Sequence, residues 1–517
     1  MWIINGAYLL ENIAYKLSAG AVLMLWLQWD LGFTATKAGI TIGWWSALLT
    51  LVTVMVGSLV DALGIRRTFL LGFWICLVAR IVMTLSVSPW LVIPLGMGLH
   101  AVGLAFMSPV MVAAMKRYST AAQRAVAFSL FYALMNGGFA IGSRIFDRLR
   151  NNEHGMGEHG TWVVPGLDME LSTYRVLILL SVIITVPGLI VTWLLLREGV
   201  EMTETGVRIT PLQPRRDTGG GMIDNIYQSC RDTMKKTASI FASLWGTAAF
   251  YRFLVFMGLV VFVRIIFYHV DYTLPTYAIN ELGDGAPVAQ VSSMLNSVLI
   301  LALVPVCGVL AARVSAYRMV TVGSFISAAS VFCLVVPPAW FQSLADGWLG
   351  DWVVHKWLGV PGPVNPYYIA IFLFTVGLSL GEALWSPRLY EYAAAIAPKG
   401  NEASYMAISV LPYFVAKLVA GTLSGWLLDT FCGKNGYHEP ASPGFIIRTL
   451  TDVLPDSFFP AAGTRDPQFM WLLIGIIALI TPVGTFVLRK HLQLQESGRE
   501  PVISKSEAAA EEEEGHR

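Results

Sequence analysis

Ionisable side chains inside long apolar segments are the residues of this sequence with the clearest chemical meaning. They stand at Glu11, Lys16, Arg80, Arg264, His269, Asp271, Glu382, Arg388, Glu391 and Lys417. Because an ionisable group is costly to hold in lipid, such residues commonly line the pathway of an ion or a substrate. Glu11 and Tyr15 share one helix face at i, i+4, and Arg264, Tyr268 and Asp271 form a second stripe. These stripes predict a relay for protons or a charged solute.

The elements that position these residues must be membrane-spanning helices. Only 13% of the 517 residues are charged and 55% are hydrophobic, whereas soluble proteins carry about 25% charged residues. The mean hydropathy is +0.62, and apolar runs of about 20 residues are long enough to cross a bilayer as helices. The sequence therefore indicates an all-α membrane protein.

Charge, cysteine content and motifs exclude several other classes of protein. A net charge of +1 gives no basic signature for nucleic acid, and five cysteines are too few for a disulfide scaffold. H-E-x-x-H and G-x-x-x-x-G-K-[ST] are both missing from the sequence. We predict no catalytic residues, no metal and no cofactor.

Twelve apolar segments predict twelve transmembrane helices. They are residues 5–28, 37–60, 69–88, 90–115, 125–147, 176–197, 253–278, 290–312, 319–340, 366–395, 404–431 and 469–488. The predicted units are an N-terminal six-helix bundle (1–197), a linker (198–252), a C-terminal six-helix bundle (253–488) and a disordered acidic tail (489–517). Residues 226–244 of the linker have the pattern of an amphipathic surface helix.

Lysine and arginine favour the connections on the side of the N-terminus. By the positive-inside rule, this bias predicts that both termini and the linker are cytoplasmic. The chain is then a multi-pass protein of a plasma or inner membrane, in contact with the lipid bilayer, a small-molecule solute and protons. We expect a monomer. Gly421-x-x-x-Gly425 could support a dimer, but packing within the helical bundle is the preferred interpretation.

The connection between the second and third segments carries a recognisable motif. Residues 57–67 read G-S-L-V-D-A-L-G-I-R-R, and residues 308–313 repeat it in part as G-V-L-A-A-R. This pattern resembles the loop signature of the major facilitator superfamily. The resemblance implies two related bundles with the site between them, and a conformational role for the loop residues Gly57, Asp61, Gly64, Arg66 and Arg67.

A narrower resemblance lies in the fifth, eighth and tenth segments. In the tenth segment, Gly381-Glu382 is followed by Ser-Pro at 386–387 and Ala-Pro at 397–398. In the fifth, residues 128–138 read F-S-L-F-Y-A-L-M-N-G-G. In the eighth, Asn296 precedes an apolar run to Pro305. These features are similar to the proton-coupled oligopeptide transporter family. The resemblance implies that Glu382 holds the amino end of a bound peptide.

The predicted site combines these resemblances with the polar stripes. The substrate-binding candidates are Glu382, Tyr15, Arg264, Tyr268, Asn136, Asn296 and Trp385. The proton-coupling candidates are Glu11, Asp271 and His269. A mixture of acids and bases suits a zwitterion, because each pole can meet an opposite charge.

The chain lacks three charged residues of that family's pattern. Tyr8 and Asn12 replace an acid and an arginine of the first-segment pattern, and Ser108 replaces the lysine of a Lys-Pro pair. The sequence therefore leaves alternatives open. One is a transporter of an amino acid, nucleoside, drug or sugar without proton symport, and another is a non-transporting membrane receptor.

Overall fold

Helices occupy most of the described part of each of the twelve predicted segments, while residues 311–312 and 404–410 of those segments lie outside the described residues. The computed structural model describes residues 1–120, 123–166, 168–203, 206–209, 231, 235, 248–310, 314–396, 411–434, 436–437, 453–455 and 458–492. The first bundle contains α1 (Trp2–Lys16 and Ala21–Trp29), α2 (Ala35–Leu63), α3 (Ile65–Leu85), α4 (Pro89–Arg117), α5 (Arg124–Arg150) and α6 (Thr173–Leu195). The second contains α7 (Ala248–Tyr272 and Leu274–Leu282), α8 (Gln290–Leu310), α9 (Ala316–Ser330 and Phe332–Val335), α10 (Pro366–Ile396), α11 (Leu411–Phe431) and α12 (Pro467–Val487).

Several of these helices depart from regular α geometry. Helix α4 contains a π-helical segment near its start, at Val92–Gly98, and α8 begins with one at Gln290–Met294. Short helical turns connect α9 to α10 at Pro338–Phe341, Gln342–Ala345, Trp348–Gly350 and Asp351–Trp357, and Arg489–Leu492 follows α12. Nine helices in the described ranges are long and apolar enough to cross a membrane. With large apolar side chains exposed on their outer surfaces, they make the chain a multi-pass integral membrane protein.

Two antiparallel strand pairs lie outside the helices. β1 (Thr161–Val163) pairs with β2 (Glu170–Ser172) between α5 and α6. β3 (Val200–Thr203) pairs with β4 (Gly206–Ile209) at the start of the predicted linker. The linker prediction contained no strands. The α7 helix begins at Ala248, five residues before the predicted start. The predicted surface helix at 226–244 and the acidic tail beyond residue 492 lie outside the described residues.

Two helices break at equivalent places in the two bundles. Gly20 has φ +58°, which a glycine adopts without a steric penalty, and it separates the two parts of α1. In α7 the break falls at Thr273, just before Pro275. Lys16 and Asp271 lie beside these breaks. Each interruption therefore lies next to one charged residue, a cation in the first bundle and an acid in the second.

Glycines allow α2 and α11 to approach closely across the boundary between the bundles. A Cβ atom added at Gly425 would overlap the backbone of Ala35, and one at Gly421 would lie 2.5 Å from the Cα of Gly43. The Gly421-x-x-x-Gly425 motif therefore packs inside the molecule, between its two bundles. This contact closes the face opposite the α6–α7 linker, which we call the distal face.

Candidate functional site

Glu11 lies in a buried ion pair in the core of the first bundle. The Arg80 guanidinium donates to both of its carboxylate oxygens, at 2.6 and 3.1 Å. Arg80 also donates to the hydroxyls of Ser18 (3.1 Å) and Thr185 (2.5 Å), and the Ser18 hydroxyl lies 3.2 Å from Nε2 of His100. Arg80 is fully buried and Glu11 is 2% exposed. This network ties α1, α3, α4 and α6 together.

An ion pair joins the two bundles at the helix breaks. Lys16 Nζ donates to Asp271 Oδ1 at 2.9 Å and lies 3.4 Å from the Ser293 hydroxyl of α8. The side chain of Asp271 is 26% exposed. Gly20 lies against the same carboxylate, because a Cβ there would be 3.4 Å from Oδ1. The pair must break if the bundles separate at this level.

A carboxylate of the second bundle binds the start of a helix of the first. The oxygens of Asp429, near the distal end of α11, accept from the backbone N–H groups of Ala35 (3.3 Å) and Thr36 (2.7 Å). These N–H groups open α2 and have no partner within their own helix. Asp429 therefore caps α2 from the other bundle, where the helix dipole favours negative charge.

The reciprocal contact exists on the other side of the molecule. The oxygens of Asp147, near the distal end of α5, accept from the N–H groups of Ala289 (3.2 Å) and Gln290 (2.6 Å) at the start of α8. Helices α5 and α11 hold equivalent positions in the two bundles, as do α2 and α8. Each bundle thus caps one helix of the other, and we call the two contacts the reciprocal caps.

Three further polar contacts link the two bundles on the distal side. Gln28 donates to Thr276 at 3.2 Å, Asn152 donates to the Asp284 carbonyl, and the Ser46 and Tyr272 hydroxyls are 3.0 Å apart. In this conformation the distal side of the molecule is closed.

Glu382 lies halfway along α10, beside two polar neighbours of its own bundle. The amide of Asn296 on α8 donates to Glu382 Oε2 at 3.1 Å and to the Ser379 hydroxyl at 3.0 Å. Glu382 and Asn296 are both partly accessible within the molecule. A carboxylate held in this way can accept hydrogen bonds from an ammonium group.

Arg264 lies among aromatic rings close to Glu382. Its guanidinium carbon is 4.3 Å from the ring centre of Tyr413, 5.2 Å from that of Trp385 and 5.5 Å from that of Phe267. It lies within electrostatic range of Glu382, and the Tyr132 side chain of the first bundle lies within range of both. The structure therefore brings Glu382, Asn296 and Arg264 together near Tyr132 of the first bundle, whereas Trp385 is fully buried within the second bundle beside Arg264.

The remaining substrate candidates have different surroundings. Tyr15 packs against Phe139 with 5.8 Å between ring centres, and Tyr268 stacks on Tyr272 at 6.2 Å. The Asn136 amide donates to the Tyr132 carbonyl of its own helix at 3.0 Å and is 5% exposed. Tyr15 and Tyr268 line the boundary between the bundles, whereas the amide of Asn136 bonds within α5.

The other predicted residues lie apart from this cluster. His269, a proton-coupling candidate, is 1% exposed, and its Nδ1 lies 2.6 Å from the Thr273 hydroxyl. In the loop motif, Gly57 and Asp61 belong to the last turns of α2, where only the backbone is described. Gly64 has φ +81° and precedes α3.

The two arginines of the loop motif hold the end of α6. Arg66 donates to the Trp193 carbonyl at 2.7 Å, and Arg67 donates to Glu198 at 2.8 Å. Trp193 belongs to the first bundle, and Glu198 is the first residue of the predicted linker.

Sequence reasoning did not assign a role to Asp147 or Asp429. Both acids stand at the distal ends of apolar segments, where a carboxylate is commonly solvated. Their position in the sequence alone therefore does not predict a contact with the other bundle. Their role depends on which helix of the other bundle begins beside them.

Comparison with known proteins identifies the fold. The sequence pattern described as Major Facilitator Superfamily matches residues 4–354. A crystal structure of a POT family transporter with 5-aminolevulinic acid superimposes with a TM-score of 0.64 at 14% identity, covering 95% of this chain and 96% of that one. No curated protein sequence matches the chain significantly.

Two further solved structures have the same fold. One comes from work on substrate recognition in proton-dependent oligopeptide transporters, with a TM-score of 0.62, 16% identity and coverage of 95% and 98%. The other is a bacterial homologue of the human drug peptide transporters PepT1 and PepT2, with a TM-score of 0.59, 17% identity and the same coverage.

Proposed function

The chain belongs to the major facilitator superfamily, and we propose that it carries dipeptides, tripeptides or similar zwitterions across the membrane by proton-coupled alternating access. The observation that carries the proposal is the position of Glu382, which meets Asn296 on one side and the charge of Arg264 on the other. An acid and a base at the boundary between two bundles can bind the two poles of a zwitterion. The solved structures of the same fold include oligopeptide transporters.

In the proposed mechanism the distal face is the external face and the termini are cytoplasmic. Substrate and proton enter when the bundles separate at the distal side, and they leave when the bundles separate at the linker side. In the closed arrangement, the Lys16–Asp271 pair, the reciprocal caps and the α2–α11 glycine contact hold the distal side together. Opening must break all of them.

Asp271 is the proton carrier in this proposal. Glu11 already has both oxygens on Arg80 inside the first bundle, and His269 is buried beside Thr273. Asp271 is more exposed and lies on the boundary that opens. Its protonation removes the negative charge that attracts Lys16, which weakens the contact between the bundles. Proton binding and opening are thereby linked.

A second candidate is a carrier of amino acids or other zwitterions without proton symport. Tyr8, Asn12 and Ser108 favour it, because they replace groups that the peptide transporters carry at these positions. In that case Lys16–Asp271 is a gate that opens without a proton.

Counterflow exchange in proteoliposomes separates these solute classes. We expect the purified protein to exchange labelled dialanine and to leave labelled glucose and uridine unexchanged. Glu382→Gln should abolish the exchange. The matched control is Glu281→Gln, because Glu281 pairs with Arg465 at the distal end of the same bundle. Exchange of glucose or uridine in place of dialanine would contradict the peptide proposal, and exchange of alanine alone would support the second candidate.

A further inference from the structure

Lys417 is a partly buried lysine that packs against an aromatic ring. It lies on α11 with its ammonium nitrogen 5.9 Å from the ring centre of Tyr268 on α7. Within the described part of the chain, it forms no ion pair or hydrogen bond with a carboxylate. A cation–π contact with one tyrosine offsets only part of the cost of burying an ammonium group. The described residues around Lys417 therefore compensate its charge only in part.

Two cations and two tyrosines alternate across the contact between α7 and α11. Arg264 and Tyr268 are four residues apart on α7, and Tyr413 and Lys417 are four residues apart on α11. Arg264 lies over Tyr413, and Lys417 lies over Tyr268. Because four residues span about 6 Å of helix, the two cations lie on neighbouring levels of the same surface. They are close enough to repel each other.

This pair of cations complements Glu382. Arg264 lies within electrostatic range of both Glu382 and Lys417, so one continuous surface carries an acid at one end and cations at the other. Lys417, Tyr268 and Arg264 are all partly accessible within the molecule. An anion placed between Lys417 and Arg264 would relieve their repulsion and supply Lys417 with the opposite charge that the described residues do not provide.

We propose that Lys417, together with Arg264, binds the carboxylate of the substrate while Glu382 binds its ammonium group. The inference rests on the proposed function and deepens it by placing both substrate poles on the second bundle. It also explains how the chain can bind a carboxylate although Asn12 and Ser108 stand where the peptide transporters carry cations. In this chain the anion site is moved to α7 and α11.

Dialanine and two derivatives, each lacking one of its two charged groups, test the assignment. The affinities of dialanine, dialanine amide and N-acetyl-dialanine are measured by fluorescence titration of the full-length purified protein. Because a charge-assisted hydrogen bond contributes about 1.5–3 kcal/mol, we expect dialanine to bind roughly 10- to 150-fold more tightly than its amide. In Lys417→Met this ratio should fall to near one. Lys417→Arg should retain it.

Two further variants serve as controls, one for the site of the ligand's ammonium group and one for the loss of a lysine elsewhere in the protein. Glu382→Gln should keep the ratio between dialanine and its amide while losing the preference for dialanine over N-acetyl-dialanine. Lys434→Met removes an exposed lysine that pairs with Asp284, and it should leave both ratios unchanged. Lys417→Met should also be at least as stable to heat as the wild type, because it removes a partly buried charge that has no ion pair among the residues that the structure describes.

The outcomes separate this inference from the proposed function. If the wild type binds dialanine and Lys417→Met keeps the full preference over the amide, Lys417 does not bind the carboxylate and the inference is wrong. A marked loss of thermal stability in Lys417→Met with an unchanged ratio would also overturn it and indicate a structural lysine. If the wild type binds none of the three ligands, the proposed peptide function itself fails.

Discussion

At the scale of single residues, the type of neighbour decides what a membrane-embedded acid can do. Glu11 and Glu382 are both carboxylates inside apolar segments, and the sequence assigns Glu382 to substrate binding and Glu11 to proton coupling. Glu11 has two guanidinium hydrogen bonds in a closed core, whereas Glu382 meets an amide and is partly accessible. The difference depends on Arg80, Ser18 and Thr185, which come from three separate helices. Spacing along one helix could not reveal it.

The buried Glu11–Arg80 pair leads to a prediction about stability. Glu11→Gln leaves the Arg80 guanidinium buried without an opposite charge, so the free energy of unfolding should fall by about 3–5 kcal/mol. Thermal unfolding of the purified protein measures the loss. Glu153→Gln, on an exposed loop, is the control. Adding Arg80→Met to Glu11→Gln should restore part of the stability. A melting temperature equal to that of the wild type, with transport lost, would instead assign Glu11 to the proton pathway.

The exposed ion pair between the bundles leads to a prediction about coupling. Asp271→Asn cannot exchange a proton and cannot form an ion pair with Lys16. It should abolish accumulation driven by a pH gradient but retain counterflow exchange, because exchange needs no net proton movement. Both assays use the same proteoliposomes, and Glu281→Gln is again the control. Undiminished pH-driven accumulation by a well-folded Asp271→Asn protein would remove Asp271 from the mechanism.

At the scale of helices, the sequence predicts which segments cross the membrane but not how their ends meet. Apolar length fixes the twelve helices to within a few residues, since each must span the same hydrocarbon thickness. The breaks at Gly20 and Thr273, and the β3–β4 pair, depend on local backbone geometry that hydropathy does not report. The reciprocal caps depend on packing between bundles. Each cap is a short-range contact made by residues separated by more than 100 positions.

The reciprocal caps lead to a prediction about the closed state. Asp147→Ala and Asp429→Ala each remove a carboxylate from a helix start, which costs about 0.5–2 kcal/mol. Asp147→Ala also removes one of the two acids that pair with the buried Arg150, which keeps Glu158. Each should shift the balance between closed and open distal faces by roughly 2- to 30-fold. The two effects should add in free energy, because the caps lie on different helix pairs.

Disulfide formation between Gln28→Cys and Thr276→Cys reports this balance, since these two side chains touch across the bundles. We expect slower cross-linking in each aspartate variant and the slowest in the double variant. Asp346→Ala, whose carboxylate accepts from Gln342 within one short helix, is the control. Cross-linking at the wild-type rate in the double variant would show that the caps do not hold the distal side closed.

At the scale of the whole molecule, the two bundles divide the chemistry unequally. The first bundle keeps the Glu11–Arg80 pair inside its own core, and it contributes Lys16 and the rings of Tyr15 and Tyr132 to the boundary. The second bundle provides Glu382, Arg264 and Lys417. In our account the second bundle therefore holds most of the substrate, while movement against the first bundle opens and closes access. This asymmetry is compatible with a fold built from two related halves.

The most direct test of the account is concentrative uptake of labelled dialanine by proteoliposomes with pH as the only driving force. We expect dialanine to accumulate inside above its external concentration when the interior is more alkaline than the exterior. A protonophore should abolish the accumulation, and Glu382→Gln liposomes should show none. Accumulation that ignores the pH gradient, or equilibration without any accumulation, would contradict a proton-coupled carrier of zwitterions.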